Sequence, residues 1–110
     1  MMAKEVFELQ SRLCHAMSNP ARLEIIHILR EGPQHVGSLA DLMGMSQTAT
    51  SRQLAVLRNI GLVNVQRQAQ ENVYELTNPK IGDICDLMRQ VLAEQLTHQA
   101  EVATRMEQRD

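Results

Sequence analysis

The fold of this chain is decided by the stretch Ser46-Gln-Thr-Ala-Thr-Ser-Arg-Gln-Leu-Ala-Val-Leu57, which predicts a helix with both ends marked. Ser46 is a favourable N-cap, because its hydroxyl can accept a hydrogen bond from a free backbone N–H of the first turn. Gly61 lies just past the other end, where a left-handed residue is needed. Thr50, Leu54 and Leu57 follow the i, i+4, i+7 spacing of a core-facing stripe.

The opposite face of this helix is polar and carries no acid. Its side chains can donate to base edges and phosphates, and an arginine can bind a guanine or a phosphate with two donors. Taken alone, the pattern also fits a solvated amphipathic helix. We interpret the helix as a DNA-recognition helix. With the nearby arginines included, the predicted DNA-contacting residues are Ser46, Gln47, Thr48, Ser51, Arg52, Gln53, Arg58 and Arg67.

Length and composition favour one domain over residues 1–110, with 44% hydrophobic and 22% charged residues. The core of so short a chain is modest unless a second copy adds to it. The sequence has no apolar run of the ~18 residues that span a bilayer and no signal peptide. We therefore expect no membrane association, a cytoplasmic location and reduced thiols.

The net charge of −2 argues weakly against a nucleic-acid partner, because DNA-binding proteins neutralise phosphates with basic surfaces. The distribution of charge matters more than the total. No acidic residue lies between Asp41 and Glu71, whereas Arg52, Arg58 and Arg67 place three positive charges there. The middle of the chain can therefore face DNA.

Three helices are predicted before the recognition helix. The first covers about residues 3–17, and Asn19-Pro20 caps and begins a second that ends near residue 30. A short third helix over 36–43 ends at Gly44, although His35 and Gly37 mark its start poorly. Only two residues separate it from the recognition helix, which is the spacing of a helix-turn-helix over residues 36–58.

A β-hairpin is predicted directly after Gly61. Residues 62–67 and 72–76 alternate in polarity and flank a polar connection. A recognition helix followed by such a hairpin, here residues 62–76, is typical of a winged helix. Arg67 is the only cation of this wing and Glu71 lies near its tip, so we expect the wing to add little electrostatic attraction.

The last predicted helix begins at Asn78-Pro79 and is too long for one small domain to cover. We expect it to pack against its twin in a homodimer through residues 1–17 and 78–106. Such a dimer presents two recognition helices to two-fold half-sites about 34–36 Å apart on double-stranded operator DNA. Its apolar pattern comprises Ile81, Ile84, Cys85, Met88, Val91, Leu92, Leu96, Val102 and Met106.

These elements together resemble the ArsR/SmtB family of winged-helix repressors. The resemblance is carried by residues 16–26 (Ala-Met-Ser-Asn-Pro-Ala-Arg-Leu-Glu-Ile-Ile), 36–42, 45–58, 61–63 (Gly-Leu-Val) and 73–76 (Val-Tyr-Glu-Leu). It implies a mainly α fold of four helices, a small β-hairpin and a fifth helix, acting as a homodimeric repressor that an inducer releases from its operator. Two residues depart from the family pattern, since Gln53 replaces a usual histidine and Ala69 a common wing glycine.

The metal sites of the family fit this sequence poorly. Where the third helix of some members carries Cys-x-Cys-Asp, this chain has Ser38, Ala40 and Asp41, so the thiolates that soft metals need are missing. A second family site, in the last helix, is matched in part by Asp83, His98 and Glu101, with zinc as the implied ion. The step of 15 residues from Asp83 to His98 is longer than in the family.

Cys14 and Cys85 are the predicted sensor residues, because both lie on or beside apolar faces of the dimerisation helices. Two such thiols can form a disulfide, carry a persulfide or hold a thiophilic ion such as arsenite. Each event repacks the helices that space the recognition helices. The alternatives are inert core cysteines or one reactive thiol.

No phosphate loop, nucleophile elbow or metalloprotease motif occurs, which argues against an enzyme. The sequence therefore predicts an inducer-responsive DNA-binding repressor. A sensor of divalent metal at the last helix and a winged-helix protein-interaction module that does not read DNA are the alternatives.

Overall fold

The computed structural model describes residues 3–108, which form five helices and one three-stranded sheet. The elements are α1 (Ala3–Ala16), α2 (Pro20–Leu29), β1 (Gln34–His35), α3 (Val36–Met43), α4 (Gln47–Asn59), β2 (Val63–Gln68), β3 (Glu71–Leu76) and α5 (Lys80–Glu107). The predicted winged helix-turn-helix is confirmed, with α3 and α4 as the helix-turn-helix and β2–β3 as the wing. No helix within residues 3–108 is both long and apolar enough to cross a membrane.

The helix-turn-helix is held by the caps that the sequence indicated. Gly44 ends α3 with φ 65°, and the Ser46 hydroxyl accepts from the Ala49 amide at 3.1 Å. Thr50 is buried, and its hydroxyl donates to the Ser46 carbonyl oxygen at 2.9 Å. These bonds fix the first turn of α4 against the turn that precedes it. The core beneath it comprises Ala16, Ile25, Ile26, Leu29, Leu39, Leu54, Leu57, Leu62, Val63, Tyr74, Ile81 and Cys85.

Two local features were not anticipated from the sequence pattern. The sheet has three antiparallel strands in the order β1-β3-β2, because Gln34 and His35 pair with Tyr74 and Val73. A two-residue strand is too short to show alternation, so the sequence pattern missed it. The start of α3 is also better marked than expected, since His35 Nδ1 accepts from the Ser38 amide at 3.4 Å.

The wing turns at Ala69, which has φ 54° and is the only non-glycine with positive φ among residues 3–108. Gln68 pairs with Glu71, so a two-residue loop of Ala69 and Gln70 joins the strands. Such loops favour glycine where φ is positive, because a Cβ there meets the following carbonyl oxygen. The substitution of a wing glycine by Ala69 is therefore strained.

Replacing Ala69 with glycine is expected to stabilise the fold. Relief of the left-handed strain is worth ~1–2 kcal/mol, and the entropy of an unfolded glycine offsets ~0.5–1 kcal/mol of it. We expect a net gain of ~0.5–1 kcal/mol in the free energy of unfolding, measured by urea denaturation followed by circular dichroism. The same change at Ala93, which is exposed inside α5, should cost ~1 kcal/mol. Equal losses at both sites would show that the wing turn is unstrained.

The two end helices contribute little to this core. Ala16 is the only buried residue of α1, and α5 buries only Ile81, Gly82 and Cys85 near its start. Beyond them both helices carry exposed apolar side chains, which are Val6, Phe7, Leu9, Leu13, Ile84, Leu87, Met88, Val91, Leu92, Leu96, Val102 and Met106. We call these twelve side chains the end-helix apolar face.

Candidate nucleic-acid interface

The outer face of α4 is exposed, as the helical periodicity predicted. Gln47, Thr48, Ser51 and Arg52 are all exposed, whereas Leu54 and its stripe are buried. The helix begins without an acidic residue in its first turn, so its N-terminal end keeps the positive partial charge of the helix dipole. This face therefore offers donors and positive charge toward a phosphate backbone.

The three arginines of the acid-free segment are available to an external anion. Arg52, Arg58 and Arg67 are exposed. Among the described residues the salt bridges involve only Arg30, Arg89 and His35 with acidic partners, so none of these three arginines is neutralised within residues 3–108. Arginines without intramolecular partners are suited to phosphate and guanine contacts.

The wing carries one arginine, and the acidic residue near its tip lies near the edge strand. Arg67 lies on β2 opposite Asn72, and both are exposed. The Glu71 carboxylate approaches His35 Nε2 at 3.9 Å, so it lies against the edge strand β1. Arg67 remains the cation of the wing and is free to meet an external anion.

Two predicted contact residues make hydrogen bonds within the chain, and a third lies near α3. The Ser46 hydroxyl caps α4, as described above. Gln47 reaches back toward α3, since its Nε2 would lie 3.5 Å from a Cβ built on Gly37. Gln53 is half-buried, and its Oε1 accepts from Arg22 Nη1 at 3.0 Å. The structure thus places Gln53 toward α2 and does not present it freely with Arg52.

Arg22 itself was not among the predicted site residues. It lies in the Asn19-Pro20-Ala21-Arg22-Leu23 stretch, where its spacing from the apolar stripe gave no indication of a partner 31 residues away.

A second polar network that the sequence did not indicate joins α2 to α5. Arg30 Nε donates to Asp86 Oδ2 at 2.6 Å, Arg89 also donates to Asp86, and Arg89 Nη2 lies 3.1 Å from His27 Nδ1.

The two cysteines occupy different environments. Cys14 is exposed on α1, whereas Cys85 is 1% exposed and its thiol donates to Met17 Sδ at 3.9 Å. Burial raises the pKa of Cys85 above the ordinary 9.0, against the lowering effect of Arg89 and with a further rise from Asp86. Cys85 is therefore the less nucleophilic thiol in the folded chain. The prediction that both thiols lie on or beside apolar faces of the dimerisation helices stays a prediction, although the two differ in burial within one chain.

The residues of the predicted metal site do not meet in one chain. Asp83 and His98 lie 15 residues apart on the continuous helix α5, a separation of ~22 Å at 1.5 Å per residue. His98 and Glu101 are one turn apart on the exposed surface. Within residues 3–108 no group of three histidine, cysteine, aspartate or glutamate side chains has ligand geometry. Asp83 can join the other two only from a second copy.

Known proteins that are similar to this chain are bacterial transcriptional regulators. Residues 19–65 match the family model for bacterial regulatory proteins of the arsR family. The regulator YgaV of Escherichia coli is 36% identical over 85 residues, which cover 76% of this chain and 86% of that protein. The regulator NmtR of Mycobacterium tuberculosis is 44% identical over 71 residues, which cover 64% of this chain and only 59% of NmtR.

A solved structure shows the same architecture. The homodimeric winged helix-turn-helix DNA-binding domain Mb0332 of Mycobacterium bovis superimposes with a TM-score of 0.79 at 26% identity, covering 89% of this chain and 93% of that domain. The function class predicted from the sequence, a DNA-binding regulator and not an enzyme, is confirmed by these relatives. The chain therefore belongs to the arsR family of bacterial regulatory proteins and is a DNA-binding transcriptional regulator.

Proposed function

We propose that the protein is a homodimeric repressor whose two α4 helices read a two-fold operator and whose α1 and α5 helices respond to an inducer. The observation that carries this proposal is the exposed, acid-free face of α4, with arginines that have no salt bridge among the described residues. Ser46, Gln47, Thr48, Ser51, Arg52, Arg58 and Arg67 form the proposed contact surface. The homodimeric relative from Mycobacterium bovis supports the assembly.

The end-helix apolar face supports a dimer independently. Twelve large apolar side chains on α1 and α5 are at least 37% exposed, and they form two stripes at helical spacing. Monomeric proteins rarely leave so continuous an apolar surface in water. A second copy buries it symmetrically, because a two-fold axis brings the same stripe of each chain together. The pair of α4 helices then has a fixed separation.

Arg52 is expected to contribute more to operator binding than any other single side chain of the α4 face. Replacing it with alanine should weaken binding by ~1–3 kcal/mol if it contacts a guanine with two donors. Fluorescence anisotropy with a labelled duplex from the promoter of its own gene measures this change over a range of salt concentrations. Lys4→Ala on α1 removes the same charge from a helix assigned to dimerisation and should leave the affinity unchanged. Equal losses in both variants would mean that only net charge matters.

We further propose that thiol chemistry at Cys14 and Cys85 is the inducing signal. A peroxide can oxidise the exposed Cys14 to a sulfenic acid and is itself reduced to water. The Cys85 thiol of either chain can then attack that sulfur, forming a disulfide and releasing a second water. Cys85 is buried against Met17, so this bond requires α1 and α5 to shift. Such a shift changes the spacing of the recognition helices.

The two thiols are expected to differ in reactivity. Because burial raises the pKa of Cys85, its thiolate fraction at pH 8 is smaller than that of an ordinary cysteine. A chromogenic disulfide reagent should therefore modify Cys14 quickly and Cys85 slowly, until guanidinium unfolds the chain. The fast phase should vanish in Cys14→Ser, and the slow phase in Cys85→Ser. Two equally fast phases in the wild type would contradict the structure.

The inducer is tested by operator binding under four conditions: reductant, hydrogen peroxide, arsenite and zinc. The thiol proposal expects release from DNA with peroxide or arsenite, and no release in Cys14→Ser. Identical binding curves in all four conditions would overturn it. Release by zinc that persists without either cysteine would instead favour a site of Asp83 from one chain with His98 and Glu101 from the other.

A further inference from the structure

The Arg22 side chain links three helices. It projects from the first turn of α2, where its Nε donates to the Ala16 carbonyl oxygen at 2.5 Å and its Nη2 to the His15 carbonyl oxygen at 3.4 Å. Its Nη1 donates to Gln53 Oε1 on α4 at 3.0 Å. One guanidinium thus joins the end of the dimerisation helix α1 to the middle of the recognition helix.

The chemistry of both ends suits an arginine. The last carbonyl groups of α1 carry the negative end of its helix dipole, so a cation there is stabilising. The His15 carbonyl oxygen also accepts from the Ser18 amide and hydroxyl, whereas the Ala16 carbonyl oxygen accepts from Arg22. The planar guanidinium has donors in a fixed fork and can serve two acceptor groups in different directions, which the single ammonium of lysine cannot do in the same geometry. Charge-assisted bonds of this kind are stronger than bonds between neutral groups.

Little else fixes α1 relative to α4. Ala16 is the only buried residue of α1, and an open cleft lined in part by His15, Val56 and Ile60 lies between the two helices. Val56 is 40% exposed in this cleft. The Arg22 guanidinium is therefore the polar link between two helices that otherwise make limited contact.

We infer that Arg22 is a positioning residue that transmits the placement of α1 to the recognition helix, and that Gln53 is its acceptor and not a reader of bases. This inference rests on the proposed function, because it assigns the regulation of the same DNA-contacting surface. A displacement of α1 at the dimer interface moves the Ala16 and His15 carbonyl groups. The guanidinium then shifts, and its hydrogen bond to Gln53 either moves Gln53 or breaks. The amide of Gln53 is held toward α2 and away from the exposed Arg52 face.

The test is a double-mutant cycle with Arg22→Ala, Gln53→Ala and the double variant, measured by anisotropy on a duplex from the promoter of its own gene. Each single change should weaken binding by about tenfold, and the double variant should lose no more than Arg22→Ala alone, because coupled residues are not additive. Arg22→Lys should behave like Arg22→Ala for operator binding. Arg30→Ala, which removes a different α2 arginine that pairs with Asp86, should be additive with Gln53→Ala.

Gln53→Glu separates positioning from base reading. A carboxylate at this position accepts from Arg22 more strongly, so we expect Gln53→Glu to bind the duplex more tightly than Gln53→Ala. A carboxylate on a residue that contacts DNA would repel the phosphates, and Gln53→Glu would then bind less tightly than Gln53→Ala. The second result overturns the inference.

Two further measurements distinguish a failure of this inference from a failure of the proposed function. Duplexes with single base-pair changes should weaken binding by the same factors in Gln53→Ala as in the wild type, because Gln53 reads no base. A loss of discrimination at one position would contradict this. If the wild type binds no DNA at all, the proposed function fails, while the cycle measured on urea unfolding of the free protein still tests whether Arg22 and Gln53 are coupled; additive effects there overturn the link.

Discussion

Replacing Val91 with aspartate is expected to convert the regulator into a folded monomer that has lost tight operator binding. Val91 is 52% exposed and follows Ile84 and Met88 at i+7 and i+3 on the outer stripe of α5. A carboxylate there must lose its hydration to enter an apolar interface, which costs several kcal/mol without a partner. Since Val91 contributes nothing to the buried core of its own chain, the fold of each monomer should persist.

The loss of DNA affinity follows from the loss of the second α4 helix. Two linked reading heads bind a two-fold site with an avidity about 10²–10⁴ times that of one head, so the monomer should bind by about that factor more weakly. Sedimentation velocity at micromolar concentration should report the single-chain mass of 12.4 kDa in place of twice that value. Circular dichroism should stay close to that of the wild type.

The neighbouring residue provides the control. Gln90 is exposed and lies on a different side of α5, about 100° around the helix from Val91. Gln90→Asp introduces the same charge at the same depth in the helix and should leave both the dimer and the operator affinity intact. A dimeric Val91→Asp protein with normal DNA binding would show that the end-helix apolar face is not the interface.

The fold was predictable because its main signals are local. The recognition helix has a capping serine at one end and a left-handed glycine beyond the other, and both were found in those roles. Thr50 and Leu54 were correctly assigned to the core from spacing alone. The wing was found from its alternation, and Ala69, which was expected to stand where a wing glycine is common, has a positive φ. Each of these signals lies within a few residues of the structure that it specifies.

The contacts that the sequence did not indicate are either long-range or very short. The bond from Arg22 to Gln53 spans 31 residues and depends on how α2 crosses α4, which periodicity does not fix. Strand β1 has two residues, fewer than any alternation needs. The network of Arg30, Asp86 and Arg89 was missed for the same reason as the Arg22 bond, because charges on two separate helices meet only after the helices pack.

The candidate site was predicted unevenly for the same reason. The exposed face of α4 follows from one helix and has the exposure that was predicted for it, apart from the inward turn of Gln53. The thiols were assigned to apolar helix faces, but exposure depends on which neighbour covers each face. Cys85 is covered by its own chain, whereas Cys14 lies on a helix with a single buried residue. Sequence periodicity identifies a stripe but not its partner.

The second large effect is expected for Leu54→Ala, which should destabilise the fold by ~2–5 kcal/mol. Leu54 is fully buried where α4 meets the core, and alanine there removes apolar contacts and leaves a cavity that rigid neighbours fill only in part. A domain of this size has ~5–15 kcal/mol of stability in all, so the urea midpoint should fall sharply.

The matched substitution on the same helix is Val56→Ala, at a side chain that is 40% exposed. It should cost less than ~1 kcal/mol, because little buried area is lost and alanine is the better helix former. Both variants must be compared at one protein concentration, because dimer formation stabilises the folded chain more at higher concentration. If the Leu54→Ala protein still folds at low temperature, it should bind the operator more weakly, because the helix that carries Arg52 is packed less firmly against the core. A Leu54→Ala protein as stable as Val56→Ala would mean that α4 is not held by the core in the way that its buried stripe indicates.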